Sequence, residues 1–128
     1  MTSDRETLSA AGVPAAIGPY SHAVRAGSLL FCSGQIPLDP NTGELVGATA
    51  AEQAQRCLEN LASVCEAAGT TLAEAVRLTV YMIDLDQFAE VNEVYGSFFP
   101  AEPPARVTVG VVQLPKGAYV EIDAIVAL

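Results

Sequence analysis

Apolar positions recur along this chain with two periods, and the switches between them predict its elements. Ala54, Leu58, Leu61, Cys65 and Ala68 return every three or four residues, one stripe of an α-helix. Thr49-Ala50-Ala51-Glu52 ahead of it has capping-box spacing, in which threonine accepts from a first-turn amide and glutamate reaches back. Gly69 is the expected stop. A second stripe, Phe88, Val91, Tyr95 and Phe98, predicts another helix. Asp86 is its N-cap candidate, and Phe99-Pro100 ends it because proline disfavours the α region before it. Thr71 to Glu74 repeats the box spacing and predicts a short helical turn.

Elsewhere the pattern is that of strands. Tyr20 to Arg25 and Leu29 to Ile36 read as a hairpin turning at Ala26-Gly27-Ser28. Pro37 to Glu44 is a turn-rich loop. Val76 to Ile83, rich in β-branched residues, predicts a central strand. Val107 to Val112 and the stretch from Val120 finish the chain, split by Pro115-Lys116-Gly117. Residues 1–19, punctuated by Pro14, Gly18 and Pro19, predict no regular element. The order is ββαβαββ, and two helices on one side of a mixed sheet make an α+β sandwich. Its other sheet face then has to meet further copies.

Composition sharpens this picture. The 128 residues suit a single domain, 1–128, with no linker composition or internal repeat. Hydrophobic residues reach 51% and charged ones only 16%, an apolar surplus that argues for burial by self-association. A net charge of −9 disfavours a nucleic-acid partner, which calls for a basic face. Cys57 and Cys65 lie about 12 Å apart along one helix, too far to bridge. No run approaches the ~20 apolar residues of a membrane span, and no secretory h-region opens the chain. A reduced cytoplasmic setting and no membrane partner are the expectation.

Candidate chemistry is sparse. His22 and three cysteines at no ligand spacing do not make a metal site. No Gly-x-Ser-x-Gly elbow or phosphate-cradling glycine loop is present. Asp84, Asp86, Glu90 and Glu93 read as a helix start and its solvated face. Arg106 opens an apolar strand, and two readings fit it. Its guanidinium either snorkels into water from an edge strand or receives a carboxylate in a bidentate pair. Glu121 and Asp123 share a strand face opposite Val120, Ile122, Ala124 and Val126. That face is either simply solvated or carries a base.

Taken in order, Ile17-Gly18-Pro19-Tyr20, Ser33-Gly34-Gln35-Ile36-Pro37, Asp84-Leu85-Asp86-Gln87-Phe88 with Val91-Asn92, Pro104-Ala105-Arg106, Leu114-Pro115-Lys116-Gly117 and Val120-Glu121-Ile122 are specific as a set. The chain resembles the RidA/YjgF (reactive intermediate deaminase) family from about Ala15 to Ala127. The resemblance implies a chorismate-mutase-like fold and a homotrimer whose sheets face each other, with sites between subunits. It implies a cofactor-free hydrolase, a 2-iminobutanoate/2-iminopropanoate deaminase. Such an enzyme converts 2-imino acids or their enamine tautomers, 2-aminoacrylate among them, to 2-oxo acids and ammonia. By the same resemblance Arg106 clamps the substrate carboxylate and Glu121 handles the attacking water. Tyr20, Ser33, Gly34 and Asn92 line the pocket. Thr108 stands where one well-known member has cysteine, so a thiol nucleophile is not required. Two rival readings are an endoribonuclease or translation inhibitor, attributed to parts of that family, and a non-catalytic small-carboxylate binding protein.

The last two strands raise a difficulty of geometry. Folded as a flat hairpin with Leu114 opposite Tyr119, they would leave Arg106 and Glu121 on one face but roughly 20 Å apart. A change of register would put them on opposite faces. Either the strands bend near Gly110, or the two residues of one site come from different chains.

Overall fold

The computed structural model describes residues 4–128, so residues 1–3 of the expected domain lie outside the described residues. Among the described residues six strands form one sheet in the order β1-β2-β3-β6-β4-β5. They are β1 (Arg5–Leu8), β2 (Ala23–Ala26), β3 (Leu29–Gln35), β4 (Ala75–Met82), β5 (Ala105–Gly110) and β6 (Val120–Ala127), with helices α1 (Ala50–Ala67) and α2 (Phe88–Phe98). The α+β class and the ββαβαββ order hold, with one strand added in front. β1 escapes the sequence pattern because its four residues RETL have no apolar alternation. It is held by backbone pairing to β2 instead.

The first helix forms as its signals dictate. Thr49 Oγ1 accepts from Glu52 N at 3.1 Å, while Glu52 Oε2 accepts from Ala48 N, one residue ahead of the cap. Gly69, at φ +85°, turns the chain in the left-handed conformation that ends helices. At the second helix the cap is shifted from the expected Asp86. Asp84 accepts from Asp86 N at 3.0 Å, capping a single 3-10 turn, Leu85–Gln87, that leads into Phe88. Thr71 makes no side-chain cap, and Leu72–Glu74 is one 3-10 turn.

The core lies between the sheet and α1, where Leu30, Leu58, Leu61, Leu78, Val80, Ile122 and Val126 are almost fully buried. Cys32, Cys57 and Cys65 are free thiols within it. His22 is buried too. Its Nδ1 accepts from Ala10 N and its Nε2 donates to Pro14 O, both at 2.9 Å, pinning the segment ahead of β2 to the sheet.

The expected closing hairpin does not form. β6 enters the middle of the sheet, antiparallel to β3 and β4, while β5 runs parallel to β4 at the edge. Burial explains the choice. Every second residue of β6 is buried, whereas β5 is mostly exposed and suits an edge. The turn Pro115–Gly117 carries the chain across the end of β4, where Met82 O accepts from Val111 N and Ile83 N donates to Tyr119 O. The sheet face away from the helices exposes Phe31, Val107 and Val109.

Candidate active site

Strand order and register decide where each candidate residue goes. Arg106 pairs with Leu78, which is fully buried beneath the helices, so Arg106 projects to the helix side. Glu121 pairs with Tyr81 and projects to the open side. The two residues are two strands and three residues apart, roughly 14 Å along the sheet, and on opposite faces. Within one chain they cannot share a small substrate. Bending near Gly110 does not bring them together.

On the open side, Tyr20, Ser33, Gly34 and Glu121 converge on a cleft of about 280 Å³, with Ile17, Ile36 and Pro115 as apolar walls. A β-bulge shapes it. Between Cys32 and Gln35, β3 has one residue more than the facing stretch of β6, which puts Ser33 and Gly34 out of regular pairing. Ser33 Oγ donates to Ser21 O at 2.6 Å, and Tyr20 OH accepts from Ile17 N at 3.3 Å, tying the incoming strap to the strand. Gly34 is required by Glu121. A Cβ there would overlap Glu121 Oε2 and sit 3.0 Å from its Cδ. Burial, and secondarily the charge of Asp123, pushes the Glu121 carboxyl above its ordinary value. A proton shuttle near neutral pH needs a carboxyl moved in that direction.

Arg106, Asn92 and Thr108 form the other half. Arg106 Nη1 donates to Asn92 Oδ1 at 2.8 Å. The guanidinium lies over the rings of Tyr95 and Phe88, at 4.7 and 5.4 Å from their centroids. Phe88, Asn92 and Tyr95 follow i, i+4, i+7 spacing, one stripe of α2. Asn92, expected to line the pocket, thus holds the arginine in place. Phe88 and Tyr95 were read as helix core only, although that same spacing on α2 was the available signal for their part in holding Arg106. The planar fork is fixed from two sides, which leaves it prepared for a flat anion such as a carboxylate. Thr108 shares the arginine's face, two residues along β5, and its buried Oγ1 has no hydrogen-bond partner among the described residues.

The chain is similar to many known proteins. The family model described as Endoribonuclease L-PSP matches residues 10–128. A RutC family protein of Sinorhizobium fredii is 50% identical over 96% of this chain and 98% of its own. The 2-iminobutanoate/2-iminopropanoate deaminase of Mus musculus is 42% identical over 94% of this chain and 90% of its own. The crystal structure of RidA from a Psychrobacter species superposes with a TM-score of 0.92 at 41% identity, covering 96% and 99% of the two chains. With a family model over residues 10–128 and near-full-length matches of that identity, the chain belongs to the RidA/YjgF family.

Proposed function

We propose that the protein is a cofactor-free deaminase of small 2-imino acids and their enamine tautomers, working as a homotrimer in the cytoplasm with sites between copies. One observation carries the reading: Glu121 lies across Gly34 in a cleft with Tyr20 and Ser33, its carboxyl pushed up by burial. The reaction needs little more. Water attacks C2 of the imine, giving a carbinolamine. The C–N bond then breaks and both protons of the water leave on ammonia, so that R–C(=NH)–COO⁻ and H₂O become R–C(=O)–COO⁻ and NH₃. The protonated Glu121 carboxyl gives its proton to the imine nitrogen and takes one from the attacking water; in the second step it protonates the departing amine and takes the hydroxyl proton as the oxo group forms. Arg106 grips the carboxylate and supplies orientation, the larger part of what an already electrophilic carbon requires.

Because the two residues lie on opposite faces, this reading gives the two roles to different chains. The exposed Phe31, Val107 and Val109 give the open sheet face an apolar surface for the contact. A ring of copies, each facing the next, presents Arg106, Asn92 and Thr108 of one to the Glu121 cleft of another. The buried Thr108 hydroxyl, without a partner among the described residues, suits a substrate oxygen or amine there.

The test is ammonia release from freshly generated 2-iminopropanoate. Acceleration by the purified protein, lost on Arg106→Ala, supports the reading; no acceleration rejects it. The family description also names an endoribonuclease. RNA held by the protein at ~50 mM salt, where phosphate contacts are strong, would favour that alternative over a chain of charge −9 acting on small molecules.

A further inference from the structure

Glu121 has a second carboxylate for a neighbour. Strand alternation puts Asp123 on the same face of β6, part-buried like Glu121. Asp123 Oδ2 accepts the Tyr81 hydroxyl at 3.0 Å. Tyr81 is the register partner of Glu121, not of Asp123, so its side chain crosses the sheet diagonally to the next carboxylate. That diagonal decides the electrostatics. A hydroxyl donated to Glu121 would favour its ionised form, whereas one donated to Asp123 stabilises the charge of the neighbour. An ionised Asp123 in turn disfavours a second negative charge beside it.

We propose that Asp123, held by the Tyr81 hydroxyl, is a positioning residue that acts through its charge to keep a proton available on Glu121. The inference rests on the reading of Glu121 as the group that passes a proton from water to the departing amine. Among the described residues little competes with Asp123: on β4 the cation of Arg77 shares this face, but it is exposed and lies beyond Thr79, four residues from Tyr81. From β3, Ser33 and Gly34 face Glu121 and carry no charge. The phenol of Tyr20 lies across the cleft, and that of Tyr119 comes two residues earlier in the chain. On the core side stands the buried Cys57 thiol, which burial and then the Glu121 charge push up. Lys116 is turned to the loop opposite, where its Nζ donates to Gly43 O at 3.2 Å. The upward displacement of the Glu121 carboxyl, caused first by burial and then by Asp123, agrees in sign.

The direct test follows the Glu121 carboxyl by carbon NMR in the full chain labelled at glutamate. In Asp123→Asn its titration midpoint falls by about half a pH unit or more, the scale for carboxylates roughly 7 Å apart at an effective dielectric constant between ~20 and ~80. Asp123→Glu, which keeps the charge, restores the midpoint. Tyr81→Phe, which leaves the carboxylate charged but untied, gives a smaller shift of the same sign. In imine hydrolysis the limb of the pH–rate profile belonging to Glu121 moves to acid with Asp123→Asn. An Asp123 that is merely structural would change the melting temperature and leave the midpoint in place, and that result overturns the inference. If Asp123→Asn does not fold, Asp123→Ser removes the same charge, and an unmoved midpoint there overturns it equally. A parent protein without imine hydrolysis would instead reject the proposed function, while the titration still decides the role of Asp123.

Discussion

At Gly34 a missing side chain lets Glu121 lie across the bulge. The atoms a Cβ would strike belong to the outer part of the Glu121 side chain, which can swing aside. Gly34→Ala is therefore expected to leave thermal stability within about 1 kcal/mol but to cost on the order of 100-fold in turnover, the scale for a misplaced catalytic group. Urea melts and ammonia release check the two halves separately. Glu121 also couples function to stability. Its carboxyl is raised in the fold above the ordinary 4.5, so between that value and the raised one the folded chain binds the extra proton. The stability it contributes is full below about 4.5 and is lost as pH rises through the folded value. Glu121→Gln has no such loss. The stability of the variant relative to the parent should rise between pH 4 and pH 8, and a difference that stays flat or falls contradicts the assignment.

At the scale of elements, the parts written locally were legible and the parts set by partner choice were not. Thr49, Glu52 and Gly69 fixed α1 from a few neighbouring residues, because caps act over one turn. Thr49→Ala should cost about 1 kcal/mol in urea unfolding, with Glu52 N left without its acceptor. The faces of β6 were legible too, since period-two alternation assigns them without reference to any neighbour. Which strand lies beside β6 is a different matter. Pro115-Lys116-Gly117 looks like a hairpin turn, yet it bridges the end of β4, and pairing of β6 with both β3 and β4 is what buries its alternate residues. The same limit applies to the site. Tyr20, Ser33, Gly34 and Glu121, expected in one site, do meet in one cleft, Tyr20 from the segment ahead of β2. Asn92 lies outside that cleft within one chain and holds Arg106, a contact between α2 and β5 made across fourteen residues.

For the whole molecule, the proposed function makes one chain the holder of two unlike half-sites, since Arg106 and Glu121 lie on opposite faces of its sheet. Arg106, oriented by Asn92 and the rings of Phe88 and Tyr95, is one half. The Glu121 cleft is the other. Activity in this account belongs to neighbouring copies in a ring, so two inactive variants with different broken halves should repair one another. Arg106→Ala and Glu121→Gln are each expected to lack imine hydrolysis. The deciding measurement is ammonia release after the two are mixed in equal amounts, unfolded together and refolded. In a closed ring assembled at random, about one junction in four joins an intact Glu121 cleft to an intact Arg106. The account predicts recovery of about a quarter of the parent rate. A mixture that stays as inactive as its components, although it refolds and assembles like the parent, would contradict it.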